Sequence, residues 1–393
     1  MDFPKSITIE ACEKFLDRLS SHNGALQLPV DTAAPAFGGL ASAIQAVNTW
    51  ARVSELSRIE LRSSTAIDVM ADVIARPHKF SAAMMARSIG LGDAATQELG
   101  PQIYALAKQA IETQSQYQYG QQRGGLCWFT FVDHSSKGFD RNFYIEESDS
   151  KPAPRQPAQF KAIVKAMAEK AISIPGGAKV PVDSDMDHLG RIFYELFLNT
   201  HEHGSRGEAR NEWLKPGVRI IYAQGINLTE AGEKGITQQQ PILSEYVGSL
   251  ENKVGIPGNR RFLELAIVDS GLGYCGRWLA DHPSDAAGEL SLDDEYGIFE
   301  KCFTFRQTST SRDNKGNGLP VVMDRLTKLN GFMRIRSGRL SLYRDFVASP
   351  KSKQDACAFF DWSTRKLASE SPSEMSKVAG VAISLLIPLE AKA

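Results

Sequence analysis

Three short stretches hold residue types whose spacing suits chemistry. In YELFLNTHEHG, residues 194–204, Glu195 and Asn199 stand four apart and so share one face of a helix. A carboxylate and a neutral amide there can orient a water and give a hard oxygen ligand to Mg²⁺; the plainer reading is an amphipathic helix with a solvated polar edge. The second stretch is Asp269-Ser-Gly271-Leu-Gly273, directly after FLELAIV. An acid at a strand end can accept from an exocyclic amine, and the glycines let the backbone turn and approach a flat ring. An ordinary β-turn has the same composition. The third is Lys315-Gly316-Asn317-Gly318-Leu319 before PVVMDRLTKLNG. Glycines that open a helix leave backbone N–H groups free to seat an anion. Neither a Walker loop nor a GxGxxG fingerprint is present.

These stretches need elements to hold them. SDMDHLGRIFYELFLNTHEH reads as one long helix, with Ser184 or Asp185 as its N-cap and Leu189, Phe193, Leu196 and Thr200 on the face that packs on a sheet. FKAIVKAMAEKAI predicts an amphipathic helix before it, ended by Pro175-Gly-Gly177. VRIIYAQGINL and FLELAIVD predict strands, FMRIRSG and RLSLYRDF a hairpin about Ser337 and Gly338, and VAISLLIPL a buried closing strand. Upstream, FGGLASAIQAVNTWARVSEL, FSAAMMARSIGL and GPQIYALAKQAIETQSQ predict helices, with ALQLPV and LCWFTFV as strands among them. The Pro-, Ser- and charge-rich residues 147–159 mark a boundary. The expectation is an α-rich N-terminal regulatory or partner domain, 1–155, and a nucleotide-binding domain, 156–393. The second is α/β, an α+β sandwich of a mixed sheet with helices on one face.

Bulk properties narrow the class. The chain has 393 residues, 42% hydrophobic and 23% charged, enough for a large core. With 45 basic and 46 acidic side chains, no bulk charge recruits nucleic acid or an anionic membrane. No run approaches the ~18 apolar residues of a membrane span, and MDFPKSITIEACEKF lacks a signal-peptide pattern. Five scattered cysteines, none in CxxC spacing, fit free thiols in a reducing compartment. The expected location is the cytoplasm.

Taken in order, helix with Glu-x-x-x-Asn, strand with DxGxG, Gly-x-Gly before a helix, hairpin and final strand resemble the GHKL ATPase superfamily, whose Bergerat fold is shared by histidine-kinase, gyrase, mismatch-repair and heat-shock chaperone ATPases and anti-sigma kinases. The resemblance covers roughly residues 156–393. It implies ATP and Mg²⁺ as cofactors, Glu195 as the catalytic carboxylate, Asn199 as the Mg²⁺ ligand and Asp269 as the adenine-recognising acid, with Gly271 and Gly273 forming its turn. Gly316 and Gly318 match the glycines beside the triphosphate, followed by Leu319. Thr308, Ser309, Thr310 and Ser311 match a hydroxyl-rich lid, whose neighbours Arg306, Arg312 and Lys315 can reach phosphates; a flexible polar loop is the alternative. His203-Gly204 is similar to the end of the N box in anti-sigma-factor kinases. His203 then lies near the phosphates or is simply a helix-end charge. His201 and His203 at i, i+2 face apart, without a third zinc ligand at metal spacing.

Two departures stand out. Residues 205–261 form a longer connection than the family has, offering a lid, a dimer contact or a partner surface. No phospho-acceptor helix surrounds His78 or His134, which disfavours a self-phosphorylating sensor kinase. The function implied is Mg²⁺-dependent ATP binding, with ATP hydrolysis driving a conformational or regulatory cycle. Two alternatives stand beside it: a serine/threonine kinase or partner-switching regulator of the anti-sigma type, with a STAS-like protein partner, and an ATP-binding scaffold in a stress or phage-defence system. A homodimer is compatible with each.

Overall fold

The computed structural model describes residues 1–21, 24–62, 66–92, 97–116, 120–135, 138–145, 152–173, 178–227, 240–254, 261–286, 290–304, 318–352 and 357–390. Its centre is an eight-stranded sheet in the order Phe360–Asp361, Leu340–Asp345, Phe332–Gly338, Val378–Pro388, Arg261–Asp269, Val218–Asn227, Leu126–Val132, Gln121–Arg123. Every pairing in it is antiparallel, in place of the mixed sheet expected. Residues along the middle strands alternate between two cores. Leu263, Leu265 and Ile267 face one, and Ala266 and Val268 face the other. Both faces are therefore dry, which is why FLELAIV is apolar almost throughout rather than at every second position.

The first core lies under Pro157–Ser173, Asp183–Asn199 and Gly318–Lys328, three helices that pack on one another and on the sheet. Leu189, Phe193, Leu196 and Thr200 are all buried, as the helical spacing predicts. Gly190 costs about 1 kcal/mol of helix propensity relative to alanine. It is needed there because a Cβ would lie 2.8 Å from Lys161 Cα of the neighbouring helix. The helix starts at Asp183 after Val182, which offers no side-chain cap, so neither Ser184 nor Asp185 is the N-cap. Lys161 instead reaches Asp183 at 2.9 Å and Asp187 at 2.7 Å. The α-helix ends at Asn199, and Thr200–Gly204 form a π-helical turn rather than the continuous helix expected. Such turns open the ladder by one residue and reorient the side chains that follow.

The opposite face of the sheet is covered as well, so helices do not lie on one side alone. Helix Gly39–Val53 lies across Val378–Pro388 and Arg261–Asp269, with every residue from Gly39 to Ala51 buried. Around it runs a second sheet of four strands, Leu26–Leu28, Arg58–Leu61, Ser88–Leu91 and Gln97–Glu98, the first three parallel. The N-terminal region is thus α/β rather than simply α-rich. FSAAMMARSIGL divides: Pro77–Met85 is helical, Ala86 turns to extended backbone, and Ser88–Leu91 is a strand.

Residue 155 does not separate two sheets, because Leu126–Val132 pairs along its length with Val218–Asn227. Buried polar contacts fasten the N-terminal segments down. Glu13 accepts from Arg336 Nε at 3.0 Å and Arg334 Nη2 at 3.4 Å, and both guanidiniums are buried. Glu264 accepts from Gly38 N–H at 3.0 Å and from Tyr222 hydroxyl at 2.6 Å. Gln45 donates to Arg336 O at 3.0 Å. Among the described residues no helix is long and apolar enough to cross a membrane.

Candidate functional site

The end of Asp183–Asn199, the π-turn, the end of strand Arg261–Asp269 and the start of helix Gly318–Lys328 converge on one cleft of about 590 Å³. That is the size of a small-molecule site. Glu195, Asn199, His203, Asp269, Gly273, Gly318 and Leu319 all line it. Gly271 does not line it but supports Asp269, donating its N–H to Oδ1 at 2.9 Å. Val381 N–H reaches the same oxygen at 3.3 Å. Oδ2 is left on the side of Gly204, where it borders the cleft.

The glycines are there for contact distance. A Cβ on Gly204 would lie 2.5 Å from Asp269 Cγ, one on Gly271 would lie 2.5 Å from Gly204 O, and one on Gly318 would lie 2.8 Å from Glu195 Oε2. The π-turn, the DxGxG turn and the helix after the third motif are thus packed backbone to side chain around two carboxylates. Gly273 has φ +74°, a conformation that disfavours other residues, and it opens helix Gly273–Asp281.

Burial raises both acids. Asp269, 3% exposed, is pushed up to about 6 by loss of hydration, with the two backbone N–H groups pulling the other way. Glu195 is raised by burial and by Glu202, offset by Arg191 one turn earlier, with which it forms an ion pair. Asn199 Nδ2 is buried without a hydrogen-bond partner among the described residues. Asn199 is itself one of the residues that line the cleft.

A buried chain of polar groups supports the π-turn from behind. Arg219 donates to both Asp133 oxygens, at 2.7–3.0 Å, and to Tyr144 hydroxyl at 3.0 Å. His201 Nδ1 lies within hydrogen-bond distance of that hydroxyl, at 3.0 Å. His201 consequently points at Tyr144 and Trp213 while His203 lines the cleft.

Residues 207–210 are tied to helix Gly273–Asp281. Arg277 donates to Gly207 O at 2.6 Å and Glu208 O at 2.8 Å, and Arg210 pairs with Asp281 at 2.8 Å and reaches His203 Nδ1 at 3.4 Å. The long connection 205–261 also supplies sheet strand Val218–Asn227 and helix Pro241–Ser249.

Compared with known proteins, the chain matches no family model, no curated protein and no solved structure. The site rests on its own geometry. Thr308, Ser309, Thr310, Ser311, Lys315 and Gly316, with Arg306 and Arg312, lie outside the described residues. The sequence reading missed Arg191, Tyr194, Glu202, Tyr274, Arg277 and Trp278, all of which line the cleft. Arg191 was legible as the i, i−4 ion-pair partner of Glu195. Tyr274, Arg277 and Trp278 follow from helix Gly273–Asp281 starting at the last glycine of DSGLG, which no local pattern announces.

Proposed function

We propose that the cleft binds ATP with Mg²⁺ and hydrolyses it, as the resemblance to the GHKL superfamily implies. The observation that carries this reading is that the three motifs, separated by up to 123 residues between Glu195 and Gly318, line one cleft with Asp269 beside Gly204 and Glu195 beside Gly318. In this reading Asp269 Oδ2 accepts from the exocyclic amine of adenine, while Oδ1 stays committed to Gly271 and Val381. Ile267, Val381 and Ile383 supply apolar surface to the ring. Asn199, one of the cleft's lining residues, would hold the metal through its Oδ1, and Mg²⁺ when bound would neutralise phosphate charge.

Glu195 orients the attacking water and takes its proton. Burial raises its basicity, and Arg191 keeps part of the carboxylate charge compensated before the water arrives. The N-terminus of helix Gly318–Lys328, abutting Glu195, favours anionic oxygens by its free N–H groups.

Incubating the chain with γ-labelled ATP and Mg²⁺ tests the proposal. Released phosphate supports hydrolysis, label on a protein supports the kinase alternative, and bound but unreacted ATP supports the scaffold. Hydrolysis undiminished in Glu195→Ala refutes the assigned base.

A further inference from the structure

A second concavity, of about 460 Å³, opens on the N-terminal side of the molecule and shares no lining residue with the first cleft. Its walls are Met84, Met85, Ala107, Ile111, Val132 and Pro216. Two adjacent methionines make an adaptable apolar lining that fits chains of varied shape. Arg87 and Lys108 also line it, with Tyr104, His134 and Ser135, and no carboxylate does. Lys108 is exposed and has no ion-pair partner among the described residues, and Arg87 donates to a neutral acceptor, Glu55 O, at 3.0 Å. A mostly apolar groove that carries two cations and no carboxylate is complementary to an apolar tail ending in a single anionic group.

We propose that this groove binds a soluble amphiphilic monocarboxylate, its hydrocarbon part between Met84, Met85 and Ile111 and its carboxylate between Lys108 and Arg87. The volume lies within the range of ligand sites, roughly 300–1,000 Å³, and the walls are mostly apolar, with Tyr104, His134 and Ser135 the uncharged polar side chains among them. Pro216 connects the groove to the rest of the molecule. Its carbonyl accepts from Arg52, whose guanidinium also donates to Ser270 O at 3.0 Å, next to Asp269. Gly217 N–H donates to Nδ1 of His134, another groove residue, at 3.0 Å. The segment bordering the groove is therefore the one that braces the Asp269 turn from behind.

The test is calorimetric titration of the full chain with octanoate and, as the uncharged control, 1-octanol, in the absence of nucleotide so that it is independent of the ATP reading. Saturable one-to-one octanoate binding is expected. Lys108→Glu with Arg87→Glu, both at the surface, should weaken octanoate about tenfold and leave octanol unchanged, because only the carboxylate meets the reversed charges. Ile111→Ala, which enlarges the groove without touching its cations, should weaken both ligands alike. No saturable octanoate binding, or binding that is the same in the charge-reversed protein, overturns the proposal. So does binding only to vesicles of anionic phospholipid, which would make the patch a membrane contact instead.

Discussion

Replacing Gly204 with alanine probes the join between the π-turn and the Asp269 turn. The new Cβ would lie 2.5 Å from Asp269 Cγ, 2.6 Å from Oδ2 and 2.8 Å from Cβ, all inside contact distance. Asp269 has little room to yield, since Gly271 and Val381 hold Oδ1 and Gly380 packs so closely that a Cβ there would meet Asp269 O at 2.0 Å. The carboxylate must rotate or the π-turn must shift. Overpacking of this kind costs about 1–3 kcal/mol of stability. If the carboxylate leaves the position from which it would accept from adenine in the proposed complex, a hydrogen bond to a charged group is lost, about 1.5–3 kcal/mol, or roughly 10- to 150-fold in ATP affinity. Calorimetric titration with ATP and Mg²⁺ reads the affinity, and denaturant unfolding reads the stability. Gly207→Ala, three residues further on, is the control, because its Cβ would meet nothing nearer than 3.9 Å. A folded Gly204→Ala that binds ATP like the parent chain would refute the reasoning.

The elevated Asp269 gives two opposite pH trends. Its folded value of about 6 lies above the 3.8 of the free group, so its contribution to stability falls as pH rises from about 4 to 6. ATP binding, which uses the ionised form, should instead weaken about tenfold per unit below about pH 6, as titrations across pH 4.5–7.5 would show. Tyr144→Phe removes the hydroxyl between Arg219 and His201 and should cost about 1–3 kcal/mol in unfolding, raising KM for ATP more than it lowers kcat. Glu13→Ala strips the shared carboxylate from buried Arg334 and Arg336 and should destabilise by about 3–5 kcal/mol. Glu10→Ala, whose partner Lys14 is exposed, should cost under about 0.5 kcal/mol in the same denaturant titration.

The parts of the site legible in the sequence are those set by local geometry. Glu195 and Asn199 share a face because a helix repeats every four residues or so, and DSGLG turns where its glycines permit. The end of that helix was not legible. The apolar period runs on through Thr200, whereas the ladder widens at Thr200–Gly204. Ser88–Leu91 escaped because a four-residue strand after MMAR continues the helical period, and only its parallel partner Arg58–Leu61 makes it a strand. The hairpin FMRIRSG was readable as a hairpin, yet its arginines gave no sign that Glu13, more than 300 residues away, would bury them. Likewise the second face of the sheet is covered by a helix whose small residues, Gly39, Ala41, Ser42 and Ala43, describe close packing without naming the surface it packs on.

The central claim, that Asp269 and Asn199 make this cleft a Mg²⁺-dependent ATP site, is tested most directly by titrating ATP and GTP into the parent chain and Asp269→Asn. Saturable binding of one ATP is expected that requires Mg²⁺, is preferred over GTP, and is lost selectively for ATP in Asp269→Asn. Absence of ATP binding in the parent chain, or ATP affinity unchanged in the variant, would contradict it.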